Sequence, residues 1–325
     1  IGGSMKKGII VLLVAVLAIS TVFAGDFKFT GKAQVGYTVS LDDGSVTPYG
    51  RDKLNASRIN LAVSGDWYSI SLRGAMYSRT SSSEGMAATI NVDMVKLLAT
   101  EDIDLPVSLK LAIGNQSITS GSVYADPEGN GDDYIAFATT RTNLPMGITV
   151  GYSDYTVMGG LDFKGNWGVQ ATGAVADKAV KAQAAIAGTA DSKLSADASA
   201  YVNIAKLADM DIALDVSGYG KFDFEDSSKN MYIGAVTTSI EGIGVSAEFA
   251  SKAGVNSIYA GVDYKFADVK FTPYVYASTR QYLDDADKSY YTVGGEIYCG
   301  GASVGAYTSI TKAAKSISTY IAWNF

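Results

Sequence analysis

The chain has 325 residues, 47% of them hydrophobic, and an excess of acidic over basic side chains that gives a formal net charge of −7. That acidic balance argues against nucleic acid as a partner. With no histidine and a single cysteine, Cys299, it lacks the commonest general base and transition-metal ligand and cannot form an internal disulfide. No metal and no cofactor is expected, and although carboxylate-only catalysis stays open, no pair of carboxylates stands out, so the chain does not read as an enzyme.

The first methionine is Met5, and Ile1–Ser4 are set aside as upstream residues outside the fold. From Met5 the sequence runs Lys6-Lys7, an apolar stretch from Ile9 to Ile19, then Val22-Phe23-Ala24. A charged start, a short apolar run and small residues before a cut are the parts of a secretory signal peptide, here 5–24, with cleavage after Ala24. The apolar run is too short to cross a bilayer as a helix, which takes about 17–25 residues. Residue 25 is Gly and not Cys, so no lipid attachment is expected. Removing 24 of the 325 residues leaves 301 in a single mature unit, 25–325, with 24 basic residues against 33 acidic once Lys6 and Lys7 are gone.

The mature stretch opens with FKFTGKAQVGYTVSL, residues 27–41. Odd positions carry Phe27, Phe29, Val35, Tyr37, Val39 and Leu41; even positions carry Lys28, Thr30, Lys32, Gln34, Thr38 and Ser40. Apolar and polar residues alternate over fifteen positions, the period of a strand, and about twice the usual length in a soluble domain. Next, reading Gly65-Asp66 as a two-residue turn sets Val63 against Tyr68, Leu61 against Ile70 and Ile59 against Leu72, apolar with apolar. The same register sets Arg58 across from Arg73, with Arg79 further along the strand.

Residues 114–133, GNQSITSGSVYADPEGNGDD, form the longest segment without strand character and follow the fifth candidate strand. Residues 146–164 break parity and read as either two strands or one bent strand. The Ala-rich stretch 175–200 has good helix formers, so a short helix competes there with strands. Residues 210–224 return to alternation, with Ile212, Leu214, Val216, Phe222 and Phe224 opposed to Asp211, Asp215, Tyr219, Lys221 and Asp223. Taking Ala267-Asp268 as a turn sets Tyr264 against Phe271, Val262 against Pro273 and Ala260 against Val275. At the end, STYIAWNF places Ile317, Thr319, Ile321, Trp323 and Phe325 on one face and Ser318, Tyr320 and Asn324 on the other.

Nineteen candidate strands emerge, and since single-chain bacterial barrels have an even number, the expectation is 16 or 18. A β-sandwich would alternate too, but its strands need be only half as long. Long strands, aromatic residues near strand ends and an export signal predict an all-β, transmembrane, antiparallel up-and-down β-barrel, apolar outside and polar inside.

Two stretches resemble known proteins. The terminal strand, with Ile321, Trp323 and Phe325, resembles the C-terminal strand of Gram-negative outer-membrane barrel proteins, which the barrel assembly machinery reads. The order of segment 114–133 after the fifth strand is similar to general diffusion porins, whose corresponding loop folds into the pore; Pro127-Glu128-Gly129-Asn130-Gly131 matches the porin stretch in part and lacks its aromatic residue. The resemblance implies a homotrimer in the lipid bilayer of the outer membrane, passing small hydrophilic solutes and ions. It also implies a constriction in which Asp126, Glu128, Asp132 and Asp133 face Arg58, Arg73, Arg79 and Arg141. Lumen parity is shared by ten basic residues, Arg280 among them, and eight acidic ones, Glu248 among them, which nearly cancel. Acidic pairs in the loops, Asp42-Asp43, Glu225-Asp226 and Asp284-Asp285, predict a mild cation preference. Two other functions compete: a substrate-specific channel such as one for sugars, suggested by Tyr219, Tyr274, Tyr276 and Tyr298 on the lumen parity, and a structural or adhesive barrel without transport.

Overall fold

The structure, a computed structural model, describes residues 26–48, 57–76, 86–103, 105–118, 123–125, 127, 141–191, 193–266 and 271–324. The signal segment, Arg79, Asp126, Glu128, Asp132, Asp133 and Phe325 lie outside them. One antiparallel sheet dominates. Its first half holds β1 (Asp26–Ser40), β2 (Val46–Pro48), β3 (Ser57–Ser64), β4 (Tyr68–Met76), β5 (Met86–Asp93), β6 (Ser108–Ile118), β7 (Arg141–Tyr152), β8 (Tyr155–Leu161) and β9 (Trp167–Val175). The second half holds β10 (Val180–Gly188), β11 (Leu194–Asn203), β12 (Ala213–Asp223), β13 (Met231–Ile240), β14 (Ile243–Lys252), β15 (Val255–Lys265), β16 (Thr272–Tyr282), β17 (Tyr290–Cys299), β18 (Ala302–Thr311) and β19 (Lys315–Asn324).

From β3 onward each strand pairs with the next in sequence, up and down. The first and last strands are neighbours as well, in register from Lys32 opposite Asn324 to Ser40 opposite Ser316. On its other edge β1 pairs with β3 through residues 26–32 and with the three-residue β2 through 37–39. The ladder thereby returns to its start.

Side-chain parity follows the expected division. The register carries Ile297 to Val304, Val304 to Ile321 and Ile321 to Val35, straight across four strands, and all four are exposed. Val245 faces Val262 in the same way. The opposite parity carries the buried polar groups, among them Gln183, Asp197, Ser217, Glu248, Ser257, Arg280 and Ser318. Exposed apolar surface on this scale marks contact with something other than water. Aromatics gather near strand ends of the outward face: Tyr152, Tyr155 and Trp323 at the end that holds the terminal strand's last residues, Phe222, Phe224 and Tyr232 at the other. Such bands are characteristic of the two interfaces of a membrane.

Some turns at the terminal-strand end are tight. Glu241 and Gly242, both at positive φ, link β13 to β14, and the left-handed conformation that glycine takes without penalty suits this hairpin. Two short helices also lie at that end. Asp93 caps α1 (Met94–Ala99), accepting from the Lys96 backbone N–H at 3.2 Å. Asn203 caps α2 (Ile204–Ala208) through Lys206 at 2.6 Å.

Two hairpin registers are corrected and two open alternatives are resolved. The first hairpin turns at Asp66-Trp67, with the Gly65 N–H donating to the Tyr68 carbonyl at 3.0 Å, so Val63 faces Ile70, Leu61 faces Leu72 and Ile59 faces Gly74. Between β15 and β16 the connection is longer, the Phe266 N–H reaching Pro273 at 3.0 Å, and Tyr264 faces Val275 instead of Phe271. Residues 146–164 are not one bent strand: Ser153-Asp154, with Ser153 at φ 52°, turns the chain from β7 into β8. The Ala-rich stretch is two strands, β10 and β11, because their inward Gln183, Asp197 and Ser199 and outward Ile186 require a strand period to be separated.

Candidate functional site: a segment fastened inside the barrel

At the far end of β6 the ladder is irregular. Register shifts fall between Ile113 and Gln116 and again before Ile118, where Gly114 takes a φ of +121°. A bulge of this kind bends a strand and redirects it. The chain that follows carries Tyr124, Ala125 and Pro127, and all three make contacts on the inward face of strands six to nine positions further round the wall.

Tyr124 is buried against Tyr219, Met231, Ile233, Ala235 and Ala250. Those wall residues share the inward parity of β12, β13 and β14. An apolar patch on a polar inner wall is a local exception, and the Tyr124 ring covers it. The Tyr124 hydroxyl donates to Oε2 of Glu248 at 2.5 Å. The other oxygen of that carboxylate, Oε1, accepts from Nη2 of Arg280 at 2.7 Å, and both side chains are 0% exposed. Arg280 also donates from Nη1 to Ser257 Oγ at 2.9 Å and lies 5.5 Å from the Tyr259 ring centre. Two further bonds hold the segment by its backbone: Ser217 Oγ donates to the Ala125 carbonyl at 3.2 Å, and Tyr259 Oη to the Pro127 carbonyl at 3.5 Å.

Two ladder registers across three strands bring these groups together. Glu248 faces Tyr259 across β14 and β15, and Tyr259 faces Arg280 across β15 and β16. A buried ion pair repays its desolvation only when its remaining lone pairs and protons are satisfied. Here Tyr124 and Ser257 do so. The arrangement is chemically a latch: an acceptor on the wall, charged and pre-oriented by Arg280, waiting for a donor on the incoming segment. Its groups have no nucleophile or base among them set up for turnover.

No family model and no curated protein matches the chain. Solved structures do. Two mutants of Rh. blastica porin, one with three substitutions and one with two, superpose over 92% of this chain and 100% of theirs, with a TM-score of 0.56 and 11% identity. A structure described under asymmetric conductivity of engineered proteins gives the same values. The chain has a porin fold.

Within this porin-like barrel the predicted constriction residues fare unequally. Arg58 lies across from Ala75, and Arg73 across from Asn60, so the two arginines are diagonal neighbours and not directly opposed; the turn at Asp66-Trp67 shifts the register by two. Arg141 begins β7, opposite Ile118. Arg79, Asp126, Glu128, Asp132 and Asp133 lie outside the described residues. Ile321 and Trp323 face outward on the last strand. The acidic loop pairs Asp42-Asp43, Glu225-Asp226 and Asp284-Asp285 all fall at one end of the barrel, where Asp226 and Asp285 are partly engaged by Lys229 and Lys288. Sequence parity had placed Glu248 and Arg280 in the lumen without pairing them. Tyr124 was missed, and its one signal was an aromatic residue isolated in a Gly/Ser/Asp-rich stretch.

Proposed function

We propose that this porin-like barrel is an outer-membrane channel for passive diffusion of small hydrophilic solutes and ions. The observation that carries the reading is the Tyr124 segment fastened to Glu248 across the interior, beneath a wall whose other face is apolar. A barrel of this circumference is too wide to be filled by its own side chains, and a segment held inside narrows a lumen that stays wet. Among the described residues β2 and β3 lie along one edge of β1, so that nineteen strands occupy eighteen wall positions, an even number as single-chain bacterial barrels have. The mature chain, exported after cleavage at Ala24, is taken to be inserted by the barrel assembly machinery through its terminal strand with Ile321, Trp323 and Phe325, and to assemble as a homotrimer, as the resemblance implies. Asp126, Glu128, Asp132 and Asp133 are proposed to line the narrowest part against Arg58, Arg73, Arg79 and Arg141. Nothing in the site supports turnover, and the neighbours are channels by name. Refolded protein added to a planar bilayer should give stepwise currents with a weak cation preference from the acidic mouth. Folded, inserted protein that passes no current and supports no swelling of solute-loaded liposomes refutes the reading.

A further inference from the structure

On the inward faces of β15, β16 and β17, beside the latch, lies a cavity of about 310 Å³ walled largely by tyrosine. Tyr274 and Tyr276 follow each other on β16 with ring centres 5.7 Å apart and planes inclined by 31°. Tyr276 sits opposite Gly294 in the ladder, and a Cβ added at Gly294 would come within 2.6 Å of the Tyr276 ring. The tip of the ring therefore occupies the space beside the glycine that a side chain would fill. Tyr320 does the same over Gly305, where a Cβ would meet its hydroxyl at 2.6 Å. Glycine at these two positions makes the stacking surface available.

Two carboxylates complete the wall. Asp263 stands opposite Tyr276, and Glu296 opposite Tyr274; Glu296 accepts from the Tyr298 hydroxyl at 2.7 Å. The described residues lining the cavity include no lysine or arginine. The Arg280 guanidinium, on the same strand as Tyr274 and Tyr276, is fully buried and paired with Glu248. Lys265 stands opposite Tyr274 on the side away from Glu296, is exposed, and is not part of the lining, which leaves two carboxylates against one ammonium around the tyrosine pair.

Resting on the channel reading, we infer that this wall is a binding site for organic cations: small solutes bearing an ammonium group with alkyl substituents. Aromatic faces attract such a cation through the ring quadrupole, most strongly where water is excluded, and nearby carboxylates supply the opposite charge. A neutral sugar gains the stacking without the charge, an inorganic cation the charge without the stacking, and an anion is repelled.

The test is isothermal calorimetry on the folded, detergent-solubilised barrel, whose folding is checked by its heat-modifiable migration on gels. Choline and spermidine should bind saturably at millimolar concentration, while glucose, glutamate and potassium should not. Asp263→Asn with Glu296→Gln should weaken spermidine binding at least tenfold. Tyr274→Leu with Tyr276→Leu should weaken choline binding at least tenfold. Glucose or potassium binding as tightly as choline, no saturable choline binding, or choline binding unmoved by either folded double variant overturns the site. Because the measurement needs no current, folded protein that binds choline but does not conduct sinks the channel and leaves the site, whereas conducting protein that ignores choline does the reverse.

Discussion

Replacing Tyr124 by Phe removes one hydroxyl and leaves the ring among Tyr219, Met231, Ile233, Ala235 and Ala250. What is lost is a hydrogen bond to a charged acceptor, the Glu248 carboxylate, and such bonds contribute roughly 1.5–3 kcal/mol. If that bond is what holds the segment against the wall, its released population rises about tenfold to a hundredfold, since about 1.4 kcal/mol is a factor of ten. Tyr124→Ala removes the ring as well, and truncating a buried aromatic costs about 3–5 kcal/mol, so the effect should be graded. Glu248→Ala takes away both the acceptor and the partner of a fully buried guanidinium, a loss of about 3–5 kcal/mol. Single-channel recording reads the segment's position directly: Tyr124→Phe should show more frequent excursions to a higher conductance, and Tyr124→Ala a wider pore on average. A double-mutant cycle of Tyr124→Phe with Glu248→Gln should give a coupling well above the additive limit of about 0.5 kcal/mol. Currents indistinguishable from wild type in the folded Tyr124→Ala variant refute the latch.

The inside-out assignment predicts opposite outcomes for adjacent residues. Val236→Arg, on the outward face near the middle of β13, should cost about 2–4 kcal/mol of stability in lipid vesicles, measured by denaturant titration, while Thr237→Arg on the inward face should be tolerated and should shift ion selectivity. Gly36 tests the junction of first and last strands: its Cβ would fall 2.7 Å from the Tyr320 Cα, so Gly36→Val should cost about 1–3 kcal/mol or more by overpacking and lower the yield of heat-modifiable barrel. In the first turn, hydrogen bonds to Asp43, first from the Ser40 side chain and then from the Ser45 backbone, hold its carboxyl down at about 2. The folded value lies below the unfolded one, so the turn's stabilisation is present above about pH 4 and is lost as the pH falls through about 2. The carbon chemical shift of the Asp43 carboxyl followed from pH 5 to 1.5 checks this, and a midpoint at the ordinary carboxylate value counts against it.

Parity came out right in both hairpins whose registers came out wrong, and the reason is geometric. The β3–β4 pairing differs from the expected one by two and the β15–β16 pairing by four; an even slip keeps every side chain on its face, while an odd slip would turn the wall inside out. In the proposed channel, lipid on one side and water on the other select parity strongly. Among even registers it selects weakly, and the choice falls to turn hydrogen bonds such as Gly65 to Tyr68, which residue type alone did not reveal. That is why two arginines expected face to face are diagonal.

Alternation along the strands, the aromatic residues near their ends, and a long polar segment after the fifth candidate strand were readable in the amino acids, because each depends on a local period or on composition. Glu248 and Arg280 could be assigned to the interior on the same grounds. Their meeting could not be read, since it needs the registers of three strands at once and a tyrosine from a segment more than 120 positions away in the chain. Burial of charge is tolerated only where every partner arrives together, and only the folded wall brings Tyr124, Ser257, Glu248 and Arg280 to one place.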